Sequence, residues 1–330
     1  MKLLILSPID ADAIEELRRG HDVVCAFGAD AERIASVIDD REVVILRSGV
    51  TLTADLMERA PDLRLVIRAG SGFDNIDVGY LRTRGLELIR IPEPGAKAVA
   101  ELAFAHMLAL SRGLLEADRL LRRGRWTKGE LPGYLLTGKV LGIIGAGCIG
   151  SRVGQLGAAW GMDVIGCVEH PSAAQAAALA HSGIWLTDCQ DVLSRADVVS
   201  IHVPLNDSTR HLIDARALAR MKPGAYLINM ARGGIVDEQA LHQELTTEGR
   251  LRGAALDVHA EEGEGRISPL AELSNVVLTP HIGASTIDSQ RELGHRVISV
   301  MSDFSTDSSS GHTHPEPPTV QWVENPVETS

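Results

Sequence analysis

Two α/β domains, each built on a parallel sheet, are what this sequence predicts, and three features predict them. An apolar run, Val140–Ile144, leads into Gly145-Ala146-Gly147-Cys148-Ile149-Gly150, after which Val153, Leu156, Ala159 and Trp160 recur at helical spacing. Residues 1–95 alternate short apolar runs with helical stretches, the pattern of strands joined by crossover helices. A chain of 330 residues has room for about two domains.

In the first domain, strands are expected at residues 3–6, 22–26, 43–46 and 63–67, with helices at 11–19, 31–38 and 55–59. Arg47 follows the third strand, and Arg68-Ala69-Gly70-Ser71-Gly72 follows the fourth. Ligands of parallel sheets sit beyond the carboxyl ends of the strands, so Arg47 and Arg68 stand where a site belongs. Residues 92–95 break the chain, and one long helix over 96–122 leads into the second domain. Its His106 lies on an apolar stretch and reads as packing or interface.

The glycine motif opens the second domain. Gly145 permits the tight turn, Gly147 lets a pyrophosphate approach the backbone, and Gly150 lets helix and strand pack closely. The N–H groups at Cys148 and Ile149 then lie at the positive end of a helix, facing an anion. Residues 163–168 form the second strand, and Glu169 follows Gly150 by about 20 residues, where an acid holds the ribose hydroxyls. With no Arg or Lys beside it, Glu169 repels a 2′-phosphate, which favours NAD over NADP.

Helices are then expected at 173–180, 191–195 and 237–248, the last with Asp237 as N-cap. Strands are expected at 196–202, 225–229, 251–258 and 276–279. A helix over 287–304 returns to the first domain. From residue 305 on, Ser, Thr, Pro and Glu dominate, and that tail reads as disordered.

Composition narrows the partners. A net charge of -12 argues against nucleic acid or an anionic membrane. The apolar run at 98–110 is interrupted by Glu101 and His106, so it reads as a buried helix and not a span. Residues 1–10 hold too few apolar residues in a row for a signal peptide. The cysteines, Cys25, Cys148, Cys167 and Cys189, show neither metal spacing nor a disulfide rhythm, which fits a reducing cytoplasm. No metal site is expected.

Three residues carry candidate chemistry. Arg232, Glu262 and His281 each follow a strand of the second sheet, at the edge where a nicotinamide would lie. Hydride addition to a carbonyl needs a proton donor, and His suits neutral pH. A nearby carboxylate orients the imidazole and favours its protonated form. Arg can hold a substrate carboxylate with two prongs.

The motifs GAGCIG, HVPLNDSTRHLI (202–213), NMARGGIVDEQAL (229–241), GAALDVHAEE (253–262) and PHIGAST (280–286) resemble, in order, those of the D-isomer-specific 2-hydroxyacid dehydrogenases. RAGSGFDNID (68–77) is similar to that family's substrate-domain signature. The resemblance spans residues 1–304 and is strongest to members acting on 3-phosphoglycerate. It implies a Rossmann NAD-binding domain over 96–283 and a discontinuous flavodoxin-like substrate domain, 1–95 with 284–304. It implies a catalytic Arg232, Glu262 and His281. Asp257 would bind the nicotinamide carboxamide, with Pro204, Thr209 and Ala231 along the cofactor. Gly70, Ser71 and Gly72 would meet the substrate carboxylate.

The implied reaction is reversible hydride transfer between NAD(H) and a D-2-hydroxy acid or its 2-oxo acid, in a cytoplasmic homodimer formed through the nucleotide domains. Arg47 and Arg68, with Lys128 from the neighbouring subunit, would bind a second anionic group such as a phosphate. A hydroxypyruvate- or glyoxylate-type reductase and an NAD(H)-sensing corepressor are the alternatives. The chain departs from the family pattern at Val168, where Asp is usual, at His259, usually aromatic, and at Gly263, usually Pro. It also lacks the extra regulatory domain of longer members, so serine feedback is not expected.

Overall fold

The computed structural model describes residues 1–246 and 249–309. The chain forms two compact units, one from Met1–Gly95 with the chain from Ser285 on, the other Ala96–Ala284.

The first unit alternates β1 (Lys2–Ile5), α1 (Ala11–Gly20), β2 (Asp22–Cys25), α2 (Ala31–Ala35), β3 (Val43–Leu46), α3 (Ala54–Glu58), β4 (Leu65–Arg68), α4 (Val78–Arg84) and β5 (Glu87–Arg90). The strands pair in parallel in the order β2-β1-β3-β4-β5, the flavodoxin order. Both faces of the sheet are buried, which explains the unbroken apolar runs. Leu4, Leu6, Val44 and Leu46 enter one core; Leu3, Ile5, Val43 and Ile45 enter the other. This is the two-residue alternation of strand side chains. Helix starts are fixed by Asp10, Asp30, Thr53 and Asp77, whose side chains accept from backbone N–H groups in the first turn.

The second unit begins with α5 (Glu93–Arg112) and α6 (Leu114–Arg122), then β6 (Val140–Ile144), α7 (Cys148–Ala159) and β7 (Asp163–Cys167). α8 (Ala173–His181), β8 (Ile184–Leu186), α9 (Cys189–Arg195), β9 (Val198–Ile201), α10 (Ala215–Arg220) and β10 (Tyr226–Asn229) follow. α11 (Glu238–Thr246), β11 (Gly253–Leu256) and β12 (Val276–Leu278) complete it. Its parallel sheet runs β12-β11-β10-β9-β6-β7-β8, which is the Rossmann order with β12 added at one edge. Here too the strands divide between two cores: Leu141, Ile143, Tyr226 and Ile228 on one face, Ile144, Val199, Ile201 and Leu227 on the other. The last helix, α12 (Ile287–Ser309), returns to the first unit, where Leu293, Val297 and Met301 join its core.

Several expectations are corrected. The helix expected over 96–122 is two helices, because Gly113 adopts a left-handed backbone (φ 57°) and the axes bend by 62°. α5 begins at Glu93, ahead of the expected break at 92–95. Pro94 sits in its first turn, where a missing N–H costs no hydrogen bond. α12 continues to Ser309, so residues 305–309 of the expected tail are helical; 310–330 lie outside the described residues. β5, β8, α4 and α10 are short elements of four, three, seven and six residues that the sequence reading did not place. Among the described residues no single helix is long and apolar enough to cross a membrane.

The reading of the cysteines is also corrected. Cys167 ends β7 and Cys189 begins α9, and the two form a disulfide across a Cα–Cα distance of 5.4 Å. Their sequence separation of 22 gives no rhythm, because the β7–α8–β8 excursion is what brings them together. Cys25 and Cys148 take part in no disulfide among the described residues. Cysteine usage therefore no longer argues for a reducing compartment.

Candidate active site

The glycine motif joins β6 to α7 as a strand–turn–helix. Gly145 has φ 91°, and a Cβ there would stand 2.7 Å from the carbonyl oxygen of His202. A Cβ at Gly150 would collide with the Gly145 carbonyl. These two glycines are demanded by the protein's own packing. Gly147 is not: a Cβ there would meet nothing within 4 Å. It caps α7 without any side-chain hydrogen bond, so the helix N-terminus opens onto space at Cys148 and Ile149. That is the shape and polarity of a phosphate cradle. Glu169 lies just beyond β7, exposed, with His170 Nε2 4.0 Å from its carboxylate.

The loop after β9 is closed by Thr209. Its hydroxyl lies 2.7 Å from the Pro204 carbonyl and 2.8 Å from the N–H of Asn206. Thr209 thus shapes the loop that Pro204 begins.

The three chemical candidates come from loops after β10, β11 and β12. Buried Asn229 ends β10 and turns the chain: its side chain accepts from Ala231 N–H at 3.1 Å and donates to the Arg232 carbonyl at 3.1 Å. Arg232 is half-buried, and its guanidinium donates to the Ala231 carbonyl at 2.8 Å. A Cβ at Gly233 would collide with the His259 carbonyl, so only glycine lets this loop touch the loop carrying Glu262. Buried Glu238, in the first turn of α11, accepts from Ala260 N–H at 2.6 Å and from the Ser268 hydroxyl at 3.4 Å. Asp237 caps the same helix through Gln239 and Ala240.

His281 Nδ1 lies 2.9 Å from Oε2 of Glu262. The other carboxylate oxygen of Glu262 accepts from His259 N–H at 3.2 Å. Burial pushes the Glu262 carboxyl up, but the hydrogen bond and charge of His281, with the His259 N–H, outweigh it and hold the group below its ordinary value. With Nδ1 engaged, Nε2 of His281 is the nitrogen left for proton transfer.

His281 adopts φ 54°, rare for a residue with a side chain. Asp257 holds that turn. Its buried carboxylate accepts from Ile282 N–H at 3.0 Å, Gly283 N–H at 2.8 Å and the Thr279 hydroxyl at 2.6 Å. The structure thus gives Asp257 three protein donors, besides the carboxamide expected there by resemblance.

In the first unit, Arg68 ends β4 and Arg47 follows the neighbouring β3, the two joined through Asn75. Asn75 accepts from Arg68 Nε at 3.3 Å and donates to the Arg47 carbonyl at 3.0 Å. The Arg47 guanidinium donates to the Pro8 carbonyl at 3.4 Å, and burial lowers its pKa. Arg68 is buried, and a Cβ at Gly70 would press on its guanidinium. Gly70 N–H donates to the Arg68 carbonyl, while the Ser71 carbonyl accepts from Arg90 at 2.9 Å. Gly72 follows in the same loop. Lys128 is exposed in the segment between α6 and β6.

Sequence reasoning missed Asn75, Glu238 and Thr279. Each is an ordinary polar residue in the sequence and gains its role from what the fold places beside it.

A Rossmann sheet with an open phosphate cradle and a histidine–carboxylate pair at the same strand ends places this chain among the dinucleotide-binding α/β proteins. A family model described as D-isomer specific 2-hydroxyacid dehydrogenase, NAD binding domain, matches residues 104–283. The hydroxypyruvate reductase of Thermotoga maritima is 37% identical over 294 residues, 88% of this chain and 94% of that protein. The chain belongs to the D-isomer-specific 2-hydroxyacid dehydrogenase family. The D-3-phosphoglycerate dehydrogenase of Methanocaldococcus jannaschii is 39% identical over 294 residues, 89% of this chain and 55% of that protein. The chain spans about half the length of the phosphoglycerate dehydrogenases it matches. Among solved structures, the D-lactate dehydrogenase of Aquifex aeolicus complexed with NAD and lactic acid superposes with a TM-score of 0.83 at 28% identity, covering 94% of this chain and 97% of that one.

Proposed function

We propose that this protein is an NAD-dependent oxidoreductase acting reversibly on a D-2-hydroxy acid and its 2-oxo acid. The observation that carries the reading is the 2.9 Å contact between His281 Nδ1 and Glu262 Oε2, at the carboxyl edge of a Rossmann sheet. The residues present suit the cofactor: Gly147 leaves room at an uncapped helix N-terminus, and Glu169 suits ribose hydroxyls while repelling a 2′-phosphate. NAD(H), when bound, takes or supplies the hydride.

In 2-oxo acid reduction, Arg232 binds the substrate carboxylate and fixes the carbonyl in place. His281 holds a proton on Nε2 and gives it to the carbonyl oxygen as that oxygen gains charge. Glu262, its carboxyl held below its ordinary value, stays ionised and fixes the imidazole by Nδ1. In oxidation of the hydroxy acid, neutral His281 takes the proton back.

For the substrate, the paired arginines of the first unit favour an acid with a second anionic group, phosphate or phosphonate. One arginine suffices for a simple carboxylate, and Arg232 supplies it; Arg47, Arg68 and Lys128 are additional cations. The relative named for 3-phosphoglycerate supports this reading, and the relative named for hydroxypyruvate supports the alternative of an unphosphorylated acid. The finer reading of assembly and place is a cytoplasmic homodimer. It is supported by the exposed apolar side chains Leu114, Leu115, Leu121, Trp126 and Leu135.

The test is NADH oxidation over a panel of 2-oxo acids that pairs 3-phosphohydroxypyruvate with hydroxypyruvate. Saturable NADH oxidation with one of them is expected. NADH binding without turnover of any panel member would instead favour an NAD(H)-sensing binding protein. Sedimentation at micromolar concentration tests the dimer, and a compact, fully active monomer would overturn it.

A further inference from the structure

Two further histidines converge on Thr279, two positions before His281. His106, in α5, brings Nε2 to 3.2 Å from the Thr279 hydroxyl, and that hydroxyl lies 2.6 Å from Asp257 Oδ1. His259, after β11, brings Nε2 to 2.9 Å from the Thr279 carbonyl. The same carbonyl also accepts from His281 N–H at 3.1 Å.

The protons can be assigned from what each group is able to do. An ionised carboxylate only accepts, so the single proton of the Thr279 hydroxyl goes to Asp257. The hydroxyl oxygen must then accept from His106, which places a proton on His106 Nε2. A carbonyl also only accepts, which places a proton on His259 Nε2. Nδ1 of both rings is buried and has no hydrogen-bond partner among the described residues. Protonating either Nδ1 would bury an N–H with nothing among the described residues to receive it. Burial lowers the His106 pKa against the opposing charge of Asp257.

We propose that His106 and His259 are positioning residues that clamp Thr279 from two sides, one through its hydroxyl and one through its carbonyl. The clamp sets the left-handed turn at His281 and hence its contact with Glu262. A leucine at 106 or a phenylalanine at 259 would fill the space without donating. The hydroxyl of Thr279 would then lose its second bond, and its carbonyl would be held by His281 alone. The kinetic side of this proposal rests on the dehydrogenase reading above.

The first experiment needs no turnover. In protein labelled with ¹⁵N-histidine, both rings should carry their proton on Nε2 and none on Nδ1. A charged ring or an Nδ1–H tautomer at either position overturns the clamp. The Nδ1–H proton of His281, sheltered by Glu262, should be visible in the wild type, broaden or vanish in His106→Leu and His259→Phe, and return in His106→Gln and His259→Gln. Its persistence in the apolar variants overturns the proposal.

The second experiment is kinetic. Each apolar variant should lose about 10-fold in kcat and move the limbs of the pH profile, with KM for NADH and oxo acid within about twofold, as expected when a reacting group is misplaced. Each Gln variant should recover to within about threefold of wild type, because its amide can donate where Nε2 did. Wild-type kcat and pH profile in the apolar variants, or Gln variants no better than the apolar ones at equal melting temperature, overturn the proposal. If the wild type turns over no 2-oxo acid, the dehydrogenase reading falls, and the histidine tautomers with the His281 Nδ1–H signal decide the clamp.

Discussion

The backbone N–H of His281 donates to the backbone carbonyl of Asp257 at 2.7 Å, while the Asp257 carboxylate receives the N–H groups of the next two residues, Ile282 and Gly283. One buried aspartate thus wraps the turn that presents the imidazole. Asp257→Ala would leave those two N–H groups without their acceptor, each at a cost of about 1–3 kcal/mol. We expect a lower melting temperature and at least about a 10-fold fall in kcat. Calorimetry beside steady-state kinetics checks it; wild-type values for both would remove Asp257 from this role.

His281→Ala should lose about 10²-fold or more in turnover, the usual contribution of a general acid. Glu262→Gln removes the carboxylate that orients the imidazole through Nδ1, so kcat for 2-oxo acid reduction should fall by about 10-fold. Stability also follows Glu262. Its carboxyl is held below its ordinary value when folded, so its contribution is present above the unfolded value of about 4.3 and is lost as pH falls through the folded one. The wild type should therefore lose more stability on acidification below about pH 4 than Glu262→Gln does. Chemical denaturation at pH 7 and pH 3.5 reads this; parallel losses would sink it.

Cofactor choice should follow Glu169. We expect kcat/KM for NADH to exceed that for NADPH by at least about 10-fold, since a carboxylate and a phosphate at close range repel by about 1 kcal/mol or more even in water. Glu169→Ala should narrow the gap by improving NADPH. Equal use of both cofactors by the wild type would count against the assignment.

The arginines of the first unit should reveal the substrate. If Arg47 and Arg68 bind a second anion, 3-phosphohydroxypyruvate should outperform hydroxypyruvate. Arg47→Ala should then erase that preference while sparing hydroxypyruvate. Arg68 is buried and bonded to Asn75, so Arg68→Ala is read with its melting temperature, and Arg68→Lys serves as the milder variant. Wild-type indifference to a second anion would leave a small neutral-tailed acid as the better substrate.

Much of the architecture was legible in the sequence because its cause is local. The turn at Gly145 and the close approach at Gly150 need glycine wherever they occur, and two-faced burial writes unbroken apolar runs at 43–46 and 140–144. Arg232, Glu262 and His281 could be named because each follows a strand, and the carboxyl ends of parallel strands share one edge. The resemblance to a known family then gave those positions roles that spacing alone leaves open.

Other features were decided by tertiary structure. Nothing near Cys167 announces Cys189; the disulfide exists because the end of β7 and the start of α9 lie side by side. Gly113 reads as an ordinary residue of a long apolar helix until its left-handed backbone breaks α5 from α6. His106 reads as packing until β12 brings Thr279 to its Nε2, and His259 as a departure from an aromatic until the same threonine's carbonyl meets it. Short-range sterics and periodic burial are encoded residue by residue. Hydrogen bonds between side chains distant in sequence depend on which atoms the packed sheet places within about 3 Å, and no pattern along the chain records that distance.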